Sequence, residues 1–124
     1  MLIDTSMDND LSFSGYPDEF RQVLINILIN SLDALIESPQ IDKHIRIGGH
    51  AIDKSVVIII SNNGPMIPQE SLNSIFEPFF STKKLGTGIG LYICRKIIEE
   101  HHGTLQCESD RNWTRFRMVI PQIV

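Results

Sequence analysis

Residues 17–37 constrain the fold more than any other part of the chain. Pro17 and Asp18 suit the first turn of a helix, with Ser14 or Asp18 as candidate caps. Ser38-Pro39 ends that helix near Glu37. With Asn26 at zero on a wheel of about 100° per residue, Glu19, Gln22, Asn30, Asp33 and Glu37 fall within ~40° of it. Val23, Leu24, Ile25, Ile27, Leu28, Ile29, Leu32, Leu35 and Ile36 fill most of the remaining circumference. A helix apolar nearly all round belongs inside a fold. Its amide and carboxylate stripe then needs a polar counterpart, because orphaned polar groups are costly. A polar ligand cavity supplies one, and a solvated face is the alternative; periodicity does not choose between them.

The second constraint is the aliphatic run 56–60, which reads as a central, buried strand. Strands are predicted at 44–52 and 56–61, joined by Asp53-Lys54-Ser55, and again at 104–109 and 114–120. Residues 1–10 read as a loose lead-in and 11–14 as a short strand. Residues 62–87 carry mainly loop signals, with one helical turn near 69–75. A second helix runs from near Gly88 and ends at Gly103. The order helix, strands, helix, strands predicts a two-layer α/β sandwich with helices covering one sheet face. At 124 residues, 42% apolar and 21% charged, the chain makes one domain with a core, here residues 11–124. A formal charge of −4 argues against a nucleic-acid partner. No aliphatic run approaches the ~20 residues needed to cross a bilayer, and the polar, acidic N-terminus is no secretory signal. Cys94 and Cys107 form no C-x-x-C pair and read as reduced thiols of a cytoplasmic protein.

Two further segments could carry chemistry. Gly86-Thr87-Gly88-Ile89-Gly90-Leu91 stands at the start of the second helix, where free N–H groups favour phosphate. Lys83 can add a cation. The run is no P-loop, lacking G-K-[ST], and no Rossmann fingerprint, since no strand precedes it. A plain hinge is the alternative. The stretch 62–68, Asn-Asn-Gly-Pro-Met-Ile-Pro, follows the buried strand, where polar groups are often delivered to a pocket. An ordinary turn is the alternative. Phe76, Phe79 and Phe80 read as core. His101 and His102 end a helix, where cations suit the dipole. No zinc spacing or nucleophile elbow is present.

Together and in this order, these pieces resemble the ATP-binding catalytic domain of bacterial sensor histidine kinases. That domain belongs to the superfamily shared with DNA gyrase, a heat-shock chaperone and mismatch-repair ATPases. Residues 22–34 resemble its N box, 62–68 its first glycine box, and 75–83 its F box with a lysine. Residues 86–91 resemble its second glycine box, and Thr114-Arg115-Phe116 ahead of Pro121 its terminal strand motif. The resemblance covers residues 11–121. It implies the Bergerat ATP-binding fold, a mixed, mostly antiparallel sheet with helices on one face and ATP between the N-box helix and a mobile lid. It further implies that Asn30 gives its side-chain oxygen to Mg²⁺, with Asn26 supporting it one turn earlier. Lys83, Gly86, Gly88 and Gly90 would cradle phosphate, with Lys83 and Asn30 as the catalytic pair. Asn62 would read the adenine amine with help from Thr114. Asp33, Gly64, Met66, Ile67, Thr82, Thr87, Ile89 and Leu91 complete the implied nucleotide contacts, and Phe76 and Phe79 would anchor the lid. The chain departs from the family at Asn62, usually aspartate, and at Met66, usually glycine. Related ATPases carry a glutamate four residues before the Mg²⁺ asparagine, where this chain has Asn26.

The activity implied is transfer of the ATP γ-phosphoryl to a histidine on a separate dimerisation domain, with a response regulator downstream. This domain would itself touch no membrane, whether or not its parent is anchored in one. The family's acceptor histidine is usually followed by an acid, and none of the four here is, so the chain reads as part of a longer protein. Two rivals stand beside this reading. One is a serine kinase or ATPase on the same fold; the other is a degenerate module that binds nucleotide or a partner without transfer.

Overall fold

The computed structural model describes residues 1–7, 12–13, 15–78 and 90–122. Along the chain run β1 (Leu2–Met7), α1 (Pro17–Glu37), β2 (His44–Ile52), β3 (Ser55–Asn62), single 3₁₀ turns at Gln69–Ser71 and Ser74–Phe76, α2 (Gly90–Glu100), β4 (Thr104–Ser109) and β5 (Thr114–Pro121). The strands form one sheet in the order β1-β2-β3-β5-β4. β1 lies parallel to β2, and every other pairing is antiparallel.

The aliphatic run makes β3 the middle strand, as its composition requires. Val56, Ile58 and Ile60 face the helices and pack with Phe20, Val23, Ile27 and Leu35 of α1, Ile97 and Ile98 of α2, and Leu105, Phe116, Met118 and Ile120 of the outer strands. Full burial of each such side chain is worth about 1.5–3 kcal/mol. The β2–β3 connection is a two-residue turn, with Asp53 and Lys54 both at positive φ (49° and 65°). That is the type I′ pattern, whose twist matches the flanking strands.

Several expectations change. Residues 2–7 are not a loose lead-in but an edge strand, in register with β2 from Leu2↔His44 to Met7↔Gly49. All six of its side chains are exposed, so it is held by the ladder alone and leaves no burial pattern in the sequence. The proposed strand at 11–14 falls mostly outside the described residues, and Ser12 and Phe13 belong to no strand.

The N-cap of α1 is Tyr16, which makes no side-chain cap bond; the proposed cap Asp18 instead pairs with Arg21 at 2.8 Å in the first turn, and the other candidate, Ser14, lies outside the described residues. Nor is α1 buried all round. It lies on the sheet and leaves Ile25, Ile29 and Ile36 exposed.

The end of α2 is a Schellman motif. The Gly103 N–H bonds the Ile98 carbonyl (2.9 Å) and the His102 N–H bonds that of Glu99 (3.0 Å). The left-handed residue there is His102 (φ 63°), not Gly103. Gly103 is needed for space, since a Cβ would lie 2.4 Å from the Val119 carbonyl oxygen.

His101 is not a solvated cation on the helix dipole. It is buried, its Nδ1 lies 2.8 Å from the Ile97 carbonyl, and its Nε2 accepts the Tyr16 N–H at 3.2 Å. A neutral ring with its proton on Nδ1 satisfies both bonds. Phe20 and Tyr16 stack edge-on against it, Phe13 stacks edge-on against Phe20, and together they close the sandwich where α1 begins.

Candidate functional site

The polar stripe of α1 runs along the flank of the sandwich, between the buried face and solvent. Asn26, Asn30 and Asp33 are half-buried, whereas Gln22 and Glu37 at either end are exposed. The core-facing residues Val23, Ile27, Ser31 and Leu35 fix the helix's rotation and so the direction of the stripe. Two neighbours stand over it. A Cβ on Gly90, the first residue of α2, would lie 4.0 Å from Asn26 Cγ, so that helix starts beside the stripe. The Cys94 thiol donates to the Val23 carbonyl (3.7 Å). Burial pushes this thiol up to about 11, and its hydrogen bond with the Asn26 amide offsets part of the rise.

Asn62 closes the other end. As the last residue of β3 it falls on the helix-facing side, and only 1% of it is exposed. Its Oδ1 accepts the Gly64 N–H at 2.9 Å, making a tight turn at the strand end. Gly64 is buried against α1: a Cβ there would sit 3.4 Å from Ala34 Cβ and 2.9 Å from Asn62 Oδ1. A glycine is therefore required for the loop to approach the helix this closely.

The adjacent Asn63 has a different task. Its Oδ1 accepts the His44 N–H (2.7 Å) and its Nδ2 donates to the Asp42 carbonyl (2.9 Å), tying down the loop before β2. Gln40 Nε2 donates to the Asn63 carbonyl in the same knot.

Across the sheet, Asn62 is in register with Thr114 and Thr114 with Ser109. Thr114 is 3% exposed, and its Oγ1 lies 2.7 Å from Ser109 Oγ. Ser109 Oγ also accepts the Ile67 N–H at 2.8 Å. The hairpin below is pinned by Asp110, whose Oδ1 accepts the N–H groups of Asn112 and Trp113, both at 2.8 Å. These bonds, with Arg115 as a smaller contributor, hold the Asp110 carboxyl below the usual range.

The structure thus brings together Asn26, Gly90 and the Asn30–Asp33 stretch on one side, and Asn62, Gly64, Ile67 and Thr114 on the other. Met66 is exposed, and Leu91 is half-buried on the core. Phe76 is a core residue, edge-on to Phe116 and covered by the Arg95 guanidinium 4.2 Å away. Phe79, Thr82, Lys83, Gly86, Thr87, Gly88 and Ile89 lie outside the described residues. Sequence reasoning passed over Ser109 and Asn63, whose partners lie 42 and 19 residues away.

Two surface hollows lie elsewhere. One, of about 250 Å³, is on the open sheet face around Arg46 and Gly48; the other, of about 300 Å³, lies between Phe76, Arg95 and Cys107. Burial, with Glu108 beside it, pushes the Cys107 thiol up to about 12. Among the described residues no group of three or more His, Cys, Asp and Glu side chains could cage a metal.

A mixed sheet with two helices on one face, and an amide stripe beside the start of the second, places this chain among the α/β sandwiches of the Bergerat ATPase fold. The family model described as histidine kinase-, DNA gyrase B-, and HSP90-like ATPase matches residues 15–123, and the chain belongs to that family. Sporulation kinase C of Bacillus subtilis is 36% identical over 110 residues, 87% of this chain and 24% of that protein. The nucleotide-free catalytic domain of histidine kinase ThkA matches with a TM-score of 0.84 at 38% identity, covering 98% of this chain and 79% of that one. ThkA in complex with the response regulator TrrA matches at 34% identity with a TM-score of 0.82, covering 98% of this chain and 34% of that one. The chain spans a quarter or less of the curated relatives it matches first.

Proposed function

We propose that this chain is the ATP-binding catalytic domain of a two-component sensor histidine kinase, working in the cytoplasm. It transfers the ATP γ-phosphoryl to a histidine on a dimerisation domain of the same parent protein, and a response regulator receives it downstream. The observation that carries the reading is the convergence of the Asn26–Asp33 stripe, the first residue of α2 and the Asn62–Gly64 turn, in a chain whose relatives are sensor kinases.

The donor set suits MgATP. Mg²⁺ takes hard oxygen ligands, keeps several waters and takes few ligands from protein, so one amide oxygen beside a triphosphate is an ordinary share. Asn30 is that ligand in this reading, and Asn26 holds the stripe to α2 beside it. When bound, the ion would neutralise phosphate charge. Lys83 and the N–H groups of Gly86, Gly88 and Gly90 would orient the phosphate oxygens, and Asn62 and Thr114 would hold the base. Phosphoryl transfer needs mainly this positioning and charge neutralisation. Asn26 cannot act as a general base at neutral pH, which disfavours a water-activating ATPase.

The binding-module reading has one observation in its favour: the Asn62 oxygen is already engaged by Gly64, so the turn is complete without a ligand. The two readings part in a transfer assay. The chain, MgATP and the parent's histidine-bearing domain should yield an acid-labile, base-stable phosphoryl group, and Asn30→Ala should abolish it. An acid-stable phosphoserine on a partner would favour the serine kinase. Nucleotide binding without any transfer would favour the binding module.

A further inference from the structure

We propose that Ser109 is a positioning residue for the base end of the nucleotide site, acting through Thr114 and Ile67; the proposal rests on the nucleotide-site reading above. Asn62, Thr114 and Ser109 stand abreast at the ends of β3, β5 and β4. The loop leaving Asn62 is anchored twice. At its start the Asn62 oxygen holds the Gly64 N–H, and at its far end Ser109 Oγ holds the Ile67 N–H. Ser109 therefore sets where the loop ends relative to the strand that carries Thr114. The Asp110 turn keeps that strand end and its neighbour in place.

Ser109 also sets what Thr114 offers. A hydroxyl has one proton and two lone pairs. Ile67 occupies one lone pair of Ser109, which strengthens the Ser109 proton as a donor along the chain. Either hydroxyl can donate across the 2.7 Å to its partner; in this proposal Ser109 is the donor to Thr114 Oγ1. Thr114 then keeps its own proton for a further acceptor, such as a purine ring nitrogen or a bridging water. In the opposite sense, Thr114 would spend its proton on Ser109 and present only lone pairs. The Ile67 N–H favours the first sense by polarising the Ser109 hydroxyl, and with it a hydroxyl donor beside Asn62.

The effect belongs to the base and not to the phosphates, and this separates positioning from general structural support. Calorimetry of the wild-type chain, Ser109→Ala, Ser109→Cys and Ser109→Thr with MgATP, MgADP and magnesium tripolyphosphate tests it. Ser109→Ala should weaken both nucleotides about fivefold, the scale of one neutral hydrogen bond, and leave tripolyphosphate unchanged. Ser109→Cys should resemble it, because a thiol is a weak donor, and Ser109→Thr should restore wild-type affinity. Ser109→Ala binding MgATP as tightly as wild type would overturn the proposal. So would an equal loss for tripolyphosphate, or a failure of Ser109→Thr to rescue while melting like wild type. A wild-type chain that binds no nucleotide would overturn the site itself, and the proposal with it.

Discussion

Exchange of Asn62 for aspartate isolates the departure that bears most directly on ligand choice. The two side chains have the same shape, and the Gly64 N–H can donate to either at 2.9 Å. The difference lies at the other terminal atom, where Asn62→Asp replaces an NH₂ donor with a second acceptor. In the wild-type chain the adenine amine has only the neutral oxygen, shared with the Gly64 N–H, whereas in the variant it meets a charged acceptor. A charge-assisted bond nets ~1.5–3 kcal/mol and a neutral one ~0.5–1.5, so the gain is about 1 kcal/mol, or about fivefold in affinity. The position is 1% exposed, so the free carboxylate is poorly hydrated and the ligand-free variant should melt at a lower temperature. Guanine presents a carbonyl at the corresponding position, which the amide can serve by donating and the carboxylate repels. Calorimetric titration of both proteins with MgATP and MgGTP should show the variant about fivefold tighter for ATP and weaker for GTP. Unchanged affinities for both nucleotides would mean that Asn62 does not read the base, and the adenine end would have to be placed elsewhere.

Asn30→Ala should weaken MgATP binding tenfold or more, about 1.4 kcal/mol, in the same calorimetric assay; equal affinity would remove Asn30 from the metal site. The purified chain should turn over ATP barely at all in a phosphate-release assay, since Asn26 cannot activate water; sustained hydrolysis lost in Asn30→Ala would favour the ATPase reading. At pH 8 both thiols should react with iodoacetamide far more slowly than in the urea-unfolded chain, because burial pushes Cys94 to about 11 and Cys107 to about 12. Above the ordinary thiol value of 9.0 the unfolded chain loses these protons first, so stability should fall as pH rises towards the folded values. Denaturation midpoints that do not fall across that range, or equal alkylation rates, would contradict the burial of Cys94 and the partial burial of Cys107.

The elements legible in the sequence were those with local signals. Pro17 and Ser38-Pro39 bracket α1, and the run through Val56, Ile58 and Ile60 marks the central strand whatever lies around it. β1 was not legible, because an edge strand exposed on both faces imposes no alternation. Asn62 and Asn63 show a finer limit. They are the same residue side by side, yet the strand's twofold alternation turns one toward α1 and leaves the other to hold the loop before β2. His101 and Ser109 escaped for a common reason. Each takes its place from a hydrogen bond to a distant backbone N–H, Tyr16 and Ile67 respectively, and no local pattern encodes such a partner. The amide stripe of α1 was legible as a stripe. What it faces came from its neighbours, Gly90 and Gly64, which only the folded chain brings beside it.

The central claim is that this chain holds MgATP between α1 and the end of β3. Amide NMR of the isotope-labelled protein during a MgATP titration tests both the binding and its place. Saturable shifts should gather on Asn26, Asn30, Asp33, Asn62, Gly64 and Thr114, and chelation of Mg²⁺ should largely reverse them. Asp4, Arg46, His50 and Ile59, away from the helix-covered side, should stay still. A spectrum unchanged at millimolar MgATP, or shifts confined to that open face, would contradict the account.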